Sequence, residues 1–272
     1  MAEIVARGVR FHVQHLDLSL GGNHPDRPLV VFLHGLVMDN LSSWYFTVAN
    51  PVARIADVLL YDLRGHGKSE RVPTGYTLAD MVADLHALLE ATAGDRPVHL
   101  VGNSFGGLLA LAYTREHPGR VASLALVDAH LGGAGFGEQM ASTLSLEGEE
   151  RDRKIAETFK DWLGRNSDRK RNRLADAASQ LVKTTSLLAD MRATPAIRPE
   201  DLSGIDIPVL AIYGERSELR AQGEAALDGL PLCAIAIVDG CTHSVLWEAT
   251  EKVRRLIVEF LEGVLSNEEE SP

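Results

Sequence analysis

Ser104 lies between glycines at the end of an apolar run, in the sequence Gly102-Asn103-Ser104-Phe105-Gly106. The pattern G-x-S-x-G, placed between a strand and a helix, is typical of a serine that attacks a carbonyl carbon. Glycines on both sides allow the cramped turn that lifts such a hydroxyl above a sheet. A serine here could also simply cap the following helix. Nucleophilic catalysis is therefore a hypothesis that depends on the surrounding elements and on a base.

Apolar runs and helical repeats alternate along most of the chain. Helical spacing is clearest in residues 78–89, 105–115 and 245–264. One or two short strands are expected within residues 4–20. Strands that alternate with helices predict an α/β fold with a doubly wound, mostly parallel sheet. The six later strand-like runs are PLVVFLHG, ADVLLYDLRG, PVHLVGNS, VASLALVDAH, PVLAIYG and CAIAIVDG.

Residues 131–200 break this alternation, because they contain no run typical of a strand. The segment is too long for an ordinary loop, so we expect a helical lid inserted after the sixth strand. Residues 1–130 and 201–265 are then expected to form the core, and the acidic residues 266–272 a disordered tail. Helical spacing within the insertion is seen at 140–146, 155–163 and 174–188.

The composition is that of an acidic globular chain of 272 residues with a formal net charge of -11. This charge repels phosphates and argues against nucleic acid as a partner. No apolar stretch approaches a signal-peptide core or a membrane span, so no membrane association is expected. Cys233 and Cys241 flank a predicted strand, which holds them too far apart for a disulfide. Two free thiols favour a cytoplasmic location.

Three motifs together resemble the α/β-hydrolase superfamily over nearly the whole chain. Besides the turn at Ser104, the sequence HGL at residues 34–36 follows the first long buried run. The sequence YDLRGHGKS at residues 61–69 is similar to the family turn D-x-R-G-x-G-x-S. We interpret the last motif as a structural turn held by side-chain hydrogen bonds.

The resemblance implies a role for each matching position. Ser104 would be the nucleophile, and the backbone amides of Leu36 and Phe105 would hold the oxyanion. His243 lies in the loop between the last strand and the last helix, where the family carries its catalytic histidine. It would take the proton from the serine hydroxyl.

The acid that orients His243 departs from the commonest family pattern. That pattern places an aspartate where this chain has Ser217, in the sequence Gly214-Glu215-Arg216-Ser217-Glu218. Glu218 is one residue later. Asp128 ends the run VASLALVDAH, and some branches of the family, including haloalkane dehalogenases, are similar in placing the acid there. We favour Asp128 and keep Glu218 as the alternative. Either carboxylate could instead be structural or solvated.

A substrate pocket is expected at the C-terminal ends of the strands, under the lid. Its mostly apolar walls favour an acyl chain or an aromatic group, although each apolar side chain could instead belong to the core. A basic cluster in the lid could meet the phosphates of coenzyme A or an acidic carrier protein, or be a solvated face. The cluster comprises Arg169, Lys170, Arg171 and Arg173. The expected wall residues are Val37, Trp44, His130, Leu131, Phe136, Val245 and Leu246.

Three functions remain open from the sequence. The first is hydrolysis of a small-molecule ester or thioester through an acyl-enzyme, a reaction that needs no metal or organic cofactor. The second is carbon–carbon bond hydrolysis of the meta-cleavage product type, whose enzymes often carry a similar GNSFGG turn. Against it, HGLVMDN lacks their Gly-Pro-Gly pattern, and Ser244 follows His243 where they usually have tryptophan. The third is ligand binding without catalysis, because the acid is displaced.

Overall fold

A computed structural model of the chain describes residues 2–17, 27–131, 137–138, 141–142, 145–146, 148, 150, 168–195 and 197–269. Within these ranges eight strands form one sheet in the order β1-β2-β4-β3-β5-β6-β7-β8. β2 pairs antiparallel with β1 and β4, and all other neighbours are parallel. The predicted α/β class is confirmed. The strands are β1 Ala2–Ala6, β2 Val9–Leu16, β3 Leu29–Leu33, β4 Asp57–Tyr61, β5 Val98–Asn103, β6 Val121–Val127, β7 Val209–Gly214 and β8 Cys233–Val238.

Helices cover both faces of the sheet. The first helical segment, α1, joins three short pieces, and a 3-10 turn at Pro199–Leu202 precedes β7. The pieces of α1 are Ser42–Trp44, Tyr45–Ala49 and Asn50–Val52. The other helices are α2 Leu78–Thr92, α3 Phe105–Glu116, α4 Asp168–Thr184, α5 Leu187–Arg192, α6 Arg220–Leu227, α7 Val245–Glu248 and α8 Thr250–Glu269.

The central strands are continuous apolar runs because both of their faces are buried. In β3, Val30 and Phe32 pack against α1 and α8 on one face. Val31 and Leu33 pack against α2 and α3 on the other. The two helical layers leave the C-terminal ends of the strands as the edge at which loops meet.

The C-terminal region differs from the sequence-based expectation. The predicted single helix over 245–264 is broken at Ala249 into α7 and α8. α8 extends to Glu269, so residues 266–269 are helical rather than part of a disordered tail, and residues 270–272 lie outside the described residues. The apolar stripe of α8 packs on the sheet. In the described part of the chain, no helix is long and apolar enough to cross a membrane.

The segment between β6 and β7 contains helices, in the position expected for an inserted lid. Its described helices are α4 and α5, and the helix predicted over 174–188 is interrupted at residues 185–186. Residues 141–142 are helical, whereas the stretch 155–163 lies outside the described residues. Leu181 of α4 and Leu187 of α5 are buried in the main core, so this part of the insertion is anchored to the sheet layer below it.

Parallel pairing brings the ends of three strands to one place. Asn103, the last residue of β5, pairs with Val127, the last residue of β6. Val127 in turn pairs with Ile212 of β7. Ser104 and Asp128 are thus the first residues beyond two adjacent strand ends. Both have positive φ angles, 53° and 43°. Such backbone is strained for a non-glycine residue and is often found at functional sites.

The glycines that flank Ser104 leave no room for a side chain. A methyl group on Gly102 would lie 2.4 Å from the Gly106 carbonyl oxygen. One on Gly106 would lie 2.2 Å from the Leu33 carbonyl oxygen, at the end of β3. The turn therefore requires both glycines because backbone segments meet there.

We expect Gly106→Ala to destabilise the protein by about 2 kcal/mol or more, because the methyl group must displace the backbone of Leu33. Gly263→Ala is the matched control: it also replaces a helical glycine, but nothing lies within 4 Å of the added carbon. The free energy of unfolding of the control should rise by about 0.5–1 kcal/mol. Urea unfolding of both variants measures the difference, and equal stabilities would contradict the close approach at Gly106.

Candidate active site

Three side chains from three separate loops form a hydrogen-bonded chain. Ser104 Oγ lies 3.1 Å from His243 Nε2. His243 Nδ1 lies 2.9 Å from Asp128 Oδ1. A carboxylate only accepts, so Nδ1 carries the proton and Nε2 has a free lone pair for the serine hydroxyl. The Asp128 side chain is fully buried, whereas the His243 side chain is 21% exposed.

The Asp128 carboxylate is surrounded by donors. Besides His243, the Ser217 hydroxyl donates to Oδ1 at 2.5 Å, and the Gly214 amide donates to Oδ2 at 2.8 Å. A buried carboxylate must find such partners, because losing water without replacement is costly. Glu218, the alternative acid, is exposed and lies outside this set of hydrogen bonds. Of the two candidates, the structure thus brings Asp128, and not Glu218, to His243.

The loop that carries His243 is held at both ends. Gly240 donates its amide to Glu215 Oε2 at 2.7 Å and accepts from Arg216 Nη2 at 2.5 Å. Thr242 donates its amide to Glu248 Oε2 at 2.6 Å, within the first turn beyond the loop. Glu215 is exposed, and its carboxylate binds the backbone of this loop. Residues just after β7 therefore support both the acid and the base.

The predicted oxyanion amides face no competing acceptor. Phe105 begins α3 immediately after Ser104, and Leu36 lies in the loop after β3. In the described part of the chain, neither amide donates a hydrogen bond to another protein group. The first amides of a helix lack partners within the helix and favour negative charge. These two amides are available to an anionic oxygen next to Ser104.

His66 fixes the conformation of this loop. Val37 has a positive φ of 69°, and its amide donates to His66 Nε2 at 2.8 Å. The other ring nitrogen, Nδ1, donates to the Arg64 carbonyl oxygen at 2.8 Å. The contact with the Val37 amide requires the neutral ring, and burial, followed by the nearby His34, lowers the pKa of His66 to about 3. The turn at residues 61–69, predicted to be structural, thus supports the loop after β3 directly. Residues 34–39 of this loop are called the oxyanion loop below, after their predicted role.

Asp39 holds the same loop from its other side. Its Oδ2 accepts the Gly35 amide at 2.9 Å, and its Oδ1 accepts the Ser43 hydroxyl. Its carboxyl also accepts from the Asn103 side chain, next to Ser104. Burial raises the pKa of Asp39. Sequence reasoning missed this residue, although its polar side chain in the otherwise apolar stretch GLVMD was a signal.

His130 lies beside the base. Its ring centroid is 5.6 Å from that of His243, and the two rings meet edge to face. Burial, followed by the charge of His243, lowers the pKa of His130 to about 3. The ring is therefore neutral at physiological pH. His130 was predicted to line the pocket, and the structure places it next to the hydrogen-bonded chain.

An apolar cluster joins the oxyanion loop to α4. Met38 and Ala178 are buried together, and Val37, Leu174 and Trp247 pack against them. Val37 was predicted as a wall residue, whereas Met38 and Trp247 were not. α4 therefore lies over the oxyanion loop.

Four of the other predicted wall residues belong to the core. Trp44 is fully buried, and its indole donates to the Leu33 carbonyl oxygen at 3.0 Å. Val245 and Leu246 pack with the α1 and α8 layer, and Leu131 packs with the opposite layer. Their burial places these four side chains in the core, and a wall position for them stays a prediction, because apolar residues that line a cleft and those that fill a core look alike in sequence.

Some of the remaining predicted residues lie outside the part of the chain that the structure describes. Phe136 lies outside the described residues, as do the side chains of residues 169–171 in the basic cluster. Arg173 is exposed on α4. Across the residues that are described, no group of three or more His, Cys, Asp or Glu side chains is placed to hold a metal ion.

Comparisons with known proteins relate most of the chain to one family. The model of the alpha/beta hydrolase fold family matches residues 28–219. A 2-hydroxy-6-oxononadienedioate/2-hydroxy-6-oxononatrienedioate hydrolase of Pseudomonas putida is 27% identical, over 94% of this chain and 96% of its own. A shorter match, 48% identical over 73 residues, covers 26% of this chain and 27% of RutD of Variovorax paradoxus, which is provisionally named a carbamate hydrolase.

Solved structures agree with this assignment at the level of the fold. The enol-lactonase of Burkholderia xenovorans LB400 superposes with a TM-score of 0.74 at 22% identity, over 96% of this chain and all of that one. The meta-cleavage product hydrolase CumD of Pseudomonas fluorescens IP01 gives a TM-score of 0.75 at 19% identity, over 97% and 98%. With its sheet order, its strained serine turn and the family model spanning most of its length, the chain belongs to the alpha/beta hydrolase fold family.

Proposed function

We propose that this protein is a serine hydrolase that cleaves carboxylic esters or thioesters through an acyl-enzyme on Ser104. The observation that carries the proposal is the unbroken hydrogen-bonded chain from Ser104 Oγ through His243 to the buried Asp128. A serine hydroxyl is a weak nucleophile until a base removes its proton. His243, held in the correct tautomer by Asp128, is that base.

The first half of the reaction forms the acyl-enzyme. Ser104 Oγ attacks the carbonyl carbon, and its proton passes to His243 Nε2. Asp128 stabilises the resulting imidazolium, and the amides of Leu36 and Phe105 donate to the oxyanion. When the tetrahedral intermediate collapses, the bond to the leaving alcohol or thiol breaks, and that group takes the proton from His243.

The second half regenerates the enzyme. A water molecule gives a proton to His243 Nε2 and attacks the acyl carbon. The second tetrahedral intermediate collapses, the bond to Ser104 Oγ breaks, and the serine recovers its proton from His243. The carboxylic acid leaves. Every proton therefore passes through one imidazole nitrogen.

The surroundings of the triad favour an uncharged, apolar acyl or aromatic group. Three side chains that pack between the oxyanion loop and α4, Val37, Met38 and Trp247, are apolar. The neighbouring His130 is neutral, since burial lowers its pKa to about 3. A neutral neighbour leaves His243 free to accept a proton without repulsion from a second cation.

Carbon–carbon bond hydrolysis is the second candidate. It is favoured by the Pseudomonas putida relative, whose name assigns it hydrolysis of a 2-hydroxy-6-oxo dienedioate and which matches nearly the full length of both chains. The same serine, histidine and aspartate would serve that reaction. The two candidates differ in the bond cleaved and in the charge of the substrate.

A fluorophosphonate tests the nucleophile and the acid together, read as intact mass over time. We expect one adduct on the wild type and none on Ser104→Ala. Asp128→Asn should react about 10³-fold more slowly, because the histidine loses its tautomer and its counter-charge. Glu218→Gln is the matched control: its carboxylate is exposed, so it should react like the wild type.

Two results would contradict this assignment. A folded wild type that gains no adduct would favour ligand binding without catalysis. Slow labelling of Glu218→Gln beside normal labelling of Asp128→Asn would move the acid role to Glu218.

Substrate preference separates the two hydrolytic candidates. We expect the wild type to turn over p-nitrophenyl esters of apolar acids with a higher kcat/KM than a vinylogous 1,5-diketo acid of the meta-cleavage type. The physical reason is the apolar cluster between the oxyanion loop and α4. Steady-state rates with both substrates, with Ser104→Ala as the blank, measure the difference. The reverse preference would favour the carbon–carbon reaction.

A further inference from the structure

We propose that Ser217 is a positioning residue of this triad, whose hydroxyl holds the Asp128 carboxylate and adjusts how strongly that carboxylate attracts the imidazolium. The inference rests on the proposed function, because it concerns the same reaction. Ser217 occupies the position at which an aspartate was expected, and it contacts the aspartate that lies on the adjacent strand end.

Ser217 and His243 share one carboxylate oxygen. Asp128 Oδ1 accepts from Ser217 Oγ at 2.5 Å and from His243 Nδ1 at 2.9 Å. The second oxygen, Oδ2, accepts from the Gly214 amide at 2.8 Å. Ser217 is itself buried, with 8% of its surface exposed, so water has little access to this contact. Donors on both oxygens prevent the carboxylate from rotating about its bond to the chain.

The direction of the Ser217 hydrogen bond is determined by its neighbours. The Leu219 amide donates to Ser217 Oγ at 3.2 Å, which occupies one lone pair of the hydroxyl. An ionised carboxylate has no proton to give. The single hydroxyl proton of Ser217 therefore points to Asp128. The Ser217 amide donates to the Gly214 carbonyl oxygen at 3.1 Å, which fixes the residue at the start of α6.

A donor on Oδ1 makes the carboxylate less basic. It also competes with His243 Nδ1 for the lone pairs of that oxygen. Without the Ser217 hydroxyl, Asp128 would hold the imidazolium more strongly, so the acid limb of the reactivity profile would move to higher pH. The carboxylate would also lose one of the contacts that keep it in line with the imidazole.

Two titratable side chains next to this contact, His130 and Tyr213, stay uncharged between pH 5 and 9. Burial lowers the pKa of His130 to about 3. The Tyr213 hydroxyl lies 3.3 Å from the Ala129 carbonyl oxygen, and burial, followed by the charge of Asp128, raises the pKa of Tyr213. The charged residues Glu215, Arg216 and Glu248 bind the backbone of the His243 loop and stay unchanged in every variant below.

The test is the rate of fluorophosphonate labelling between pH 5 and 9, which needs no knowledge of the natural substrate. Ser217→Ala should raise the midpoint of the acid limb by about 0.5–1 pH unit. Ser217→Cys keeps nearly the same volume but has only a weak donor, so it should shift the midpoint in the same direction. If the alanine variant does not fold, Ser217→Cys replaces it in the test. Ser217→Thr retains the hydroxyl and should restore the wild-type midpoint.

Ser123→Ala is the matched control. Ser123 is also a fully buried serine, and its hydroxyl lies 2.9 Å from a ring nitrogen of His99, remote from the triad. Its loss should lower stability but leave the labelling profile unchanged.

The outcomes separate the inference from the function on which it rests. A wild type that is never labelled overturns the serine hydrolase itself. A labelled wild type whose midpoint is unchanged in Ser217→Ala and Ser217→Cys overturns only the role of Ser217. An equal shift in Ser217→Thr would also overturn it, because the hydroxyl would then not be the cause. A shift in the alanine and cysteine variants alone supports it.

Discussion

The buried charge of Asp128 is the constraint on which the site depends. A carboxylate with no exposed surface is tolerable only where the protein replaces the lost water, and here three donors from two loops do so. Those donors require β6 and β7 to be adjacent, the backbone at Asp128 to adopt a positive φ, and the loop after β8 to return toward β5. The same contacts that make the charge acceptable also hold His243 against Ser104.

Neutral histidines organise the other half of the site. His34 Nε2 accepts the Leu63 amide at 2.9 Å, and His66 Nε2 accepts the Val37 amide at 2.8 Å. Each ring also donates from Nδ1 to a backbone carbonyl oxygen, so each links two backbone segments only while it is uncharged. In the proposed function the chain thus uses imidazole in two ways, as a structural link in the oxyanion loop and as a proton carrier at His243.

Much of the fold followed from the sequence, whereas the site followed only in part. Apolar runs bounded by glycine predicted the parallel strands, because burial on both faces leaves a strong signal. The sequence favoured Asp128 but left Glu218 as an alternative, since the choice depends on which side chain turns toward His243 across two strand ends. Trp44 was assigned to the pocket because an apolar ring suits a cleft and a core equally. Asp39 was missed because its partners are backbone amides and side chains that sequence spacing does not reveal.

The hydrogen-bonded chain joins residues that are far apart in sequence. Ser104 and His243 are 139 positions apart, and His243 and Asp128 are 115 apart. Contacts of such separation form late in folding, because the loops that they close must first lose their entropy. For the proposed serine hydrolase, reactivity of Ser104 therefore requires that β6, β7 and β8 have joined the sheet. In a partly folded or newly emerging chain the hydroxyl would remain an ordinary, unactivated alcohol, so the acquisition of reactivity would report the completion of folding.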